Sequence, residues 1–368
     1  MRSIPRFLSR PQHDRDAFTL LSFVGAFLLN DALSWHFRVR LAVNLAASQQ
    51  EPIPVRSLHF RRFIGYASCV TFSDIVSRSE KRRMSFIPFA FDVLAYSAIF
   101  VLVVLGLGVI ASMMGIFNFA HGEFVLLGAY TVYLLSNSGL PVWLGMVAAP
   151  LVVALVGLIL ERWVIRRFYE TPIVAIFGTY AIGMALRESV RALLGGQFYS
   201  VVAPFVGSFS VGDVSISRWK TVVIMITLVV MFGCYLLLTR TSFGLRVRAS
   251  LENPALARAS GISTSRVYAA TFSFGAALAG LAGGLIVPIY SMNADMGVPF
   301  LIKSFLAVML GGVGSFEGSV AGAALVGASS AALPWAIKPV VADILVFIIA
   351  IAIMKVRPEG LLSKSRSA

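Results

Sequence analysis

From Phe91 onward the chain alternates long apolar runs with short polar breaks. The runs are Val93–Ile110, Phe119–Leu135, Val142–Leu160, Ile173–Leu194, Thr221–Leu238, Val267–Pro288, Phe300–Gly312, Val320–Leu333 and Val340–Met354. A helix needs about 20 apolar residues to cross a bilayer. Most runs meet that length. Two are too short or too interrupted for simple spans, and Phe300–Gly312 ends at a glycine. The pattern predicts an all-α integral membrane protein. It would be a polytopic helix bundle of about eight or nine membrane elements, with broken or re-entrant helices.

Small residues recur every fourth position in two places, at Gly275, Ala279 and Gly283 and at Gly314, Gly318 and Gly322. That spacing lets helix backbones approach closely, which a single lipid-bathed helix does not need. A faint repeat relates Gly122–Ala129 to Gly318–Ala328, each beside a Phe and an acidic residue in a Gly-rich break. Internal repeats with broken helices are common in transporters.

Composition supports the membrane class. The chain is 58% hydrophobic and 13% charged, with mean hydropathy +0.85. Soluble domains carry about 25% charged residues. Disorder is excluded for most of the length. The net charge of +14 would suggest nucleic acid in a soluble protein. Here basic residues belong in short cytoplasmic loops against anionic lipid, and no nucleic-acid partner is expected. The loop Arg240–Arg266, the run Glu161–Arg167 and Lys355–Arg357 are therefore read as cytoplasmic, and Gly195–Lys220 as outside. Counting spans back from an outer Pro141 puts residue 92 outside, whereas Lys81–Arg83 favours the inside. Either the N-terminal extension is not part of the natural chain or an early element is re-entrant.

Residues 1–83 stand apart as a basic N-terminal extension, before a membrane domain over residues 84–368. They hold 13 Lys/Arg against 6 Asp/Glu, half the net charge. Their apolar stretch Ala17–Leu29 is too short to span. It follows Arg2, Arg6, Arg10 and Arg15 like a signal segment but lacks a small-x-small cleavage site. The extension reads as a disordered tail or an over-extended start, with Met84 as the natural first residue.

Three polar residues, Asn118, His121 and Glu123, sit together at the edge of a run. Ionisable groups in a membrane are costly and mark functional candidates. They would either cap a broken helix end or line or gate a substrate pathway. No metal is expected, because His13, His36 and His59 lie far off in the extension. Glu188 and Arg191 can pair at i, i+3 near an outer helix end, with Arg187 about 100° round the helix from Glu188. They form a snorkelling interfacial cluster or a rim for an external partner. Cys69 and Cys234 form no C-x-x-C or disulfide framework. No lysine follows a glycine, so there is no P-loop. Nor is there a Gly-x-Ser-x-Gly elbow or a His-Glu-x-x-His motif, and no catalytic residue is assigned. The cytoplasmic loop Arg246–Arg266 carries a short helix signal. Glu252, Asn253 and Pro254 mark its start, Gly261 its stop, and Leu251, Ala255, Leu256 and Ala259 its small apolar face. That is either a connector or a helix that docks in a groove on another protein.

Four segments occur in order: GIFNFAHGEFVLLGAY (Gly115–Tyr130), RVRASLENPALARASGIS (Arg246–Ser263), MLGGVGSFEGSVAGAALVG (Met309–Gly327) and RPEGLL (Arg357–Leu362). Together they resemble the LivH/LivM permease family of ABC importers for branched-chain amino acids, the LivH side more closely. Urea and short-amide permeases share much the same motifs. The resemblance covers roughly Phe91–Leu362. It implies a multi-pass protein of the bacterial inner membrane that binds no cofactor itself. It implies three kinds of partner besides the lipid bilayer: a LivM-like second permease, two ATPase subunits that bind the ATP, and an extracytoplasmic substrate-binding protein. It implies that Glu252, Asn253, Ala257 and Gly261 belong to the helix that couples to an ATPase. Asn118, His121 and Glu123 remain the candidates for lining or supporting the pathway. The contrasting reading is an ion-coupled secondary transporter using Glu123, Glu188 or Glu317.

Overall fold

The computed structural model of the chain describes residues 59–115, 117–169, 171–211, 214–312, 314–357 and 360–361. Two units divide the chain, Met1–Ile75 and Val76–Ala368. Of the first, the description covers only helical backbone from His59. The expectations for Ala17–Leu29 and the Cys69 side chain lie outside the described residues, as does most of what was expected of residues 1–83.

Helices and their connections follow in chain order. They are α1 (His59–Met114), α2 (His121–Asn137), α3 (Val142–Trp163), a 3-10 turn (Ile165–Phe168) and α4 (Pro172–Leu194). Strands β1 (Ser208–Val211) and β2 (Val214–Ser217) come next. Then follow α5 (Arg218–Arg240), α6 (Ser242–Glu252), α7 (Pro254–Ala259), α8 (Thr264–Ile286), α9 (Gly297–Gly311), α10 (Phe316–Ala332), a second 3-10 turn (Leu333–Trp335) and α11 (Pro339–Val356). Every apolar run read from the sequence is helical, with ends shifted by a few residues except at the start of α1, whose helix begins at His59 rather than near Val93. Among the described residues, seven helices are long and apolar enough to cross a membrane, and Gly297–Gly311 is a shorter apolar one. Pro172 and Pro339 open α4 and α11, where a missing N–H costs nothing.

The centre of the bundle is α1 and α8. In α1, 78% of the spanning window is buried, and in α8 67%. The corresponding shares are 28% in α3, 22% in α4, 22% in α5 and 17% in α11, so these helices form the rim. Lipid tails are as apolar as leucine, so helix association rests on close packing rather than on water exclusion. The small-residue stripe of α8 supplies it. A Cβ on Gly283 would lie 2.0 Å from the Val125 carbonyl oxygen, and one on Gly275 would lie 2.7 Å from that of Gly106. Ala279 between them is fully buried. The second stripe behaves so only in part. Gly318 meets Gly311 and Gly322 meets Ala307, both across the α9–α10 contact. Gly314 touches nothing and instead holds φ +97° in the bend before α10.

The two ends of the bundle differ in charge. One carries Arg162, Arg166 and Arg167, the arginines of α6 and α7, and Lys355 and Arg357. There the Leu361 N–H donates to the Leu310 carbonyl at 2.9 Å. At the other end Lys220 pairs with Asp92 at 2.7 Å, and Tyr199 and Met292 exchange backbone hydrogen bonds of 2.9 and 2.8 Å. The positive-inside rule assigns the basic end to the cytoplasm. On that assignment residue 92 lies at the outer end, because Asp92 pairs with Lys220 at the head of α5. The helix that follows starts inside the bundle. His121, the first residue of α2, lies against Val103 in the interior of α1. Simple span counting and a broken early element are thus both present.

The outer segment Gly195–Lys220 holds one feature missed in the sequence. Its strands pair antiparallel with Val211 opposite Val214. The alternation SFSV–GD–VSIS around a Gly-Asp pair was a readable hairpin signal.

Candidate functional site

The polar trio before and within α2 is buried completely: Asn118 1%, His121 0% and Glu123 1% exposed. Each has a distinct task. Asn118 turns its Oδ1 back to accept the Ala120 N–H at 3.0 Å. The Thr179 hydroxyl of α4 accepts the Phe119 N–H at 3.1 Å. A helix that begins inside a membrane has free N–H groups and no water to take them, so these acceptors are required. The Nε2 of His121 meets the Val103 carbonyl at 2.9 Å, which makes Nε2 the protonated nitrogen. That ties α2 to α1. The Asn118 Nδ2 and the His121 Nδ1 have no hydrogen-bond partner among the described residues. Among the described residues, no three His, Cys, Asp or Glu side chains cluster as a metal site.

Glu123 has a partner that sequence reasoning missed. Arg187 of α4 donates to its Oε1 from Nη2 at 2.6 Å and from Nε at 3.1 Å. Gly183, one turn earlier on α4, lets the two helices come this close. The residues stand 64 positions apart, so no local spacing reveals the pair. The expected Glu188–Arg191 contact is present but long, at 3.7 Å. Arg191 has a closer partner in Asp295, at 2.5 Å.

Helix α4 is otherwise loosely held. Phe177, Tyr180, Met184 and Glu188 lie on one open face, Tyr180 being 48% exposed and the Glu188 side chain 58%. The mean hydropathy of its span is 1.3, against 2.5 to 2.7 for α1, α3, α5 and α11. A helix face bearing a phenol and a carboxylate suits lipid poorly and suits a polar or protein neighbour well.

The cytoplasmic segment is two helices rather than one. Glu252 ends α6 instead of beginning the next helix. The reason is Pro254, which disfavours helical geometry at the residue before it. Asn253 accordingly is extended, at φ −148° and ψ 93°, and caps α7 by accepting the Leu256 N–H at 2.9 Å. The end of α7 is closed by a Schellman arrangement. The Ile262 N–H reaches the Ala257 carbonyl at 2.9 Å and the Gly261 N–H the Arg258 carbonyl at 3.0 Å, with Gly261 at φ +82°. Ala257 alone is buried, while Leu251, Glu252, Ala255, Leu256 and Ala259 are open to the cytoplasm. Leu256 is 63% exposed, on a helix held rigid at both ends.

Residues 89–354 match the family described as branched-chain amino acid transport system, permease component. The permease LivH of Escherichia coli K12 is 27% identical over 301 residues, covering 77% of this chain and 98% of that protein. BraD of Pseudomonas aeruginosa, also a high-affinity branched-chain amino acid permease, is 28% identical over 74% of this chain and 94% of its own length. A probable LivH of Methanocaldococcus jannaschii is 30% identical over 72% of this chain and 89% of its own. The motifs, the apolar helices and these matches agree, and the chain belongs to the family of branched-chain amino acid transport permeases.

Proposed function

We propose that the chain is one of two permease subunits in an ABC importer of the bacterial inner membrane, and that its cargo is leucine, isoleucine and valine. The observation that carries the reading is the cytoplasmic α6–α7 segment. It is capped at Asn253, closed at Gly261, and presents Leu251 and Leu256 uncovered beside Glu252. A short rigid helix with an open apolar face is suited to a groove on another protein. The groove belongs to an ATPase subunit, since the chain carries no P-loop of its own. A second ATPase serves the second, LivM-like permease. A binding protein delivers substrate at the outer end.

Work passes from the ATPases into the bundle as a change in contacts between two states. The open face of α4, with Tyr180, Met184 and Glu188, lines the pathway against the second permease. Its apolar groups accommodate a branched side chain, and its polar groups meet the zwitterion. Asn118, His121 and Glu123 support that wall from behind, by fixing the inner start of α2 and clamping α4 through Arg187.

The test is uptake by proteoliposomes holding the complete importer, loaded with ATP, with binding protein outside. Labelled leucine and labelled urea are followed in parallel. Leucine uptake that requires ATP is the expected result. Uptake of urea alone would replace the cargo. Uptake that ignores ATP and follows an ion gradient would replace the mechanism.

A further inference from the structure

The α6–α7 segment must move something, and the structure holds a specific connection from it to α4. We infer that Tyr268, Tyr169 and Glu161 form a strut that carries motion of the coupling segment to the cytoplasmic end of α4. The inference rests on the ABC-importer reading above and names the residues through which it works.

The strut begins at α6. The Ser250 carbonyl, in the last turn of that helix, accepts the Tyr268 hydroxyl of α8 at 2.8 Å. Carbonyls in a last turn lack a helical partner, so the bond fills a real vacancy. The Tyr268 ring meets the Tyr169 ring edge to face, with centroids 5.2 Å apart. Tyr169 then donates its hydroxyl to Oε1 of Glu161 at the end of α3. Glu161 is 1% exposed, with Arg162 and Arg166 near it. Burial and the adjoining carboxylate raise the Tyr169 hydroxyl above the usual phenol range, so it stays a proton donor at physiological pH.

Tyr169 is also where the chain turns into α4. It directly follows the 3-10 turn Ile165–Phe168, whose Phe168 carbonyl accepts the Thr171 N–H at 3.0 Å. The Phe168 ring packs on Gly178, where a Cβ would sit 3.0 Å from it. A shift of Tyr169 therefore displaces the root of α4. Beyond this root, α4 is tied to the start of α2 by Arg187–Glu123 and Thr179, and near its outer end to Asp295 by Arg191. A rim helix tied at a few points above a movable root is an element that a small push can tilt. The three side chains are positioning residues: none sits on the exposed face of α4 assigned to substrate.

The complete importer in proteoliposomes tests this by the ratio of leucine taken up to ATP hydrolysed. Tyr169→Phe and Tyr268→Phe keep the rings and remove one hydroxyl each. Each is expected to lower the ratio several-fold while ATP hydrolysis and ATPase co-purification persist. The double variant should be no worse than the more damaging single one, because the links act in series. Glu161→Gln retains the acceptor and should restore most of the ratio that Glu161→Leu loses. The inference is overturned if the tyrosine variants keep the wild-type ratio, if their losses multiply, or if uptake and hydrolysis fall together. Should the wild type show no ATP-driven uptake, the importer reading and the strut fall together; altered ratios are read only where the wild type transports.

Discussion

At the scale of single residues, the Glu123–Arg187 pair is the strongest constraint on function. Glu123 is buried and Arg187 largely so, at 1% and 19% side-chain exposure, so removing one partner leaves the other charge without compensation. Such a loss costs about 3–5 kcal/mol, whereas replacing both partners by apolar groups is often neutral. Glu123→Leu is expected to lower the melting temperature and the yield of the purified importer sharply. Adding Arg187→Met to it should recover most of the stability, as thermal unfolding in detergent would show. A single variant as stable as the wild type would contradict the pair's role. Glycine gives a second contrast. Gly283→Ala forces a Cβ against the Val125 carbonyl and should cost about 1–3 kcal/mol, the usual range for overpacking. Gly233→Ala on α5 meets nothing within 4 Å and should be neutral or mildly stabilising in the same assay. Asn118, His121 and Glu123 were visible in the sequence because polar residues are rare in apolar runs. Arg187 was visible as a charge but not as their partner, because nothing local links two helices separated by α3.

At the scale of elements, the apolar runs were legible because bilayer thickness sets a minimum length and lipid admits no unpaired backbone. The ends were less so. Glu252 was read as the start of a helix, and the structure places it at the end of α6, since proline punctuates one residue later than the charge pattern suggests. The hairpin β1–β2 was overlooked because its strands are only four residues each and lie in a polar outer segment. The capped α7 has a testable consequence. Asn253→Ala removes the cap at a cost of about 1 kcal/mol, and Asn253→Asp retains an acceptor. Hydrogen exchange across residues 254–261 should accelerate roughly fivefold in the alanine variant, the factor about 1 kcal/mol represents. It should stay near wild type in the aspartate variant. Equal exchange in all three proteins would mean the cap does not hold the helix.

At the scale of the whole molecule, orientation was half legible. Basic loops pointed to one side for the region after α3, but the front of the chain gave conflicting signals. The Asp92–Lys220 pair resolves the conflict by joining the start of the α1 span to the outer head of α5. In a background with Cys69 and Cys234 replaced by serine, Ser215→Cys on β2 should react with an impermeant thiol reagent from outside. Ala255→Cys on α7 should react only after the membrane is opened. The reverse pattern would invert the bundle. The proposed importer draws on ATP hydrolysis borrowed through α6–α7. The decisive measurement is ATP-dependent leucine uptake by the reconstituted importer carrying Leu256→Asp, a change on an exposed side chain that leaves the bundle untouched. Uptake should be lost while the permease remains folded in the membrane and the ATPase no longer co-purifies with it. Unchanged uptake with a charge at that position would contradict that coupling.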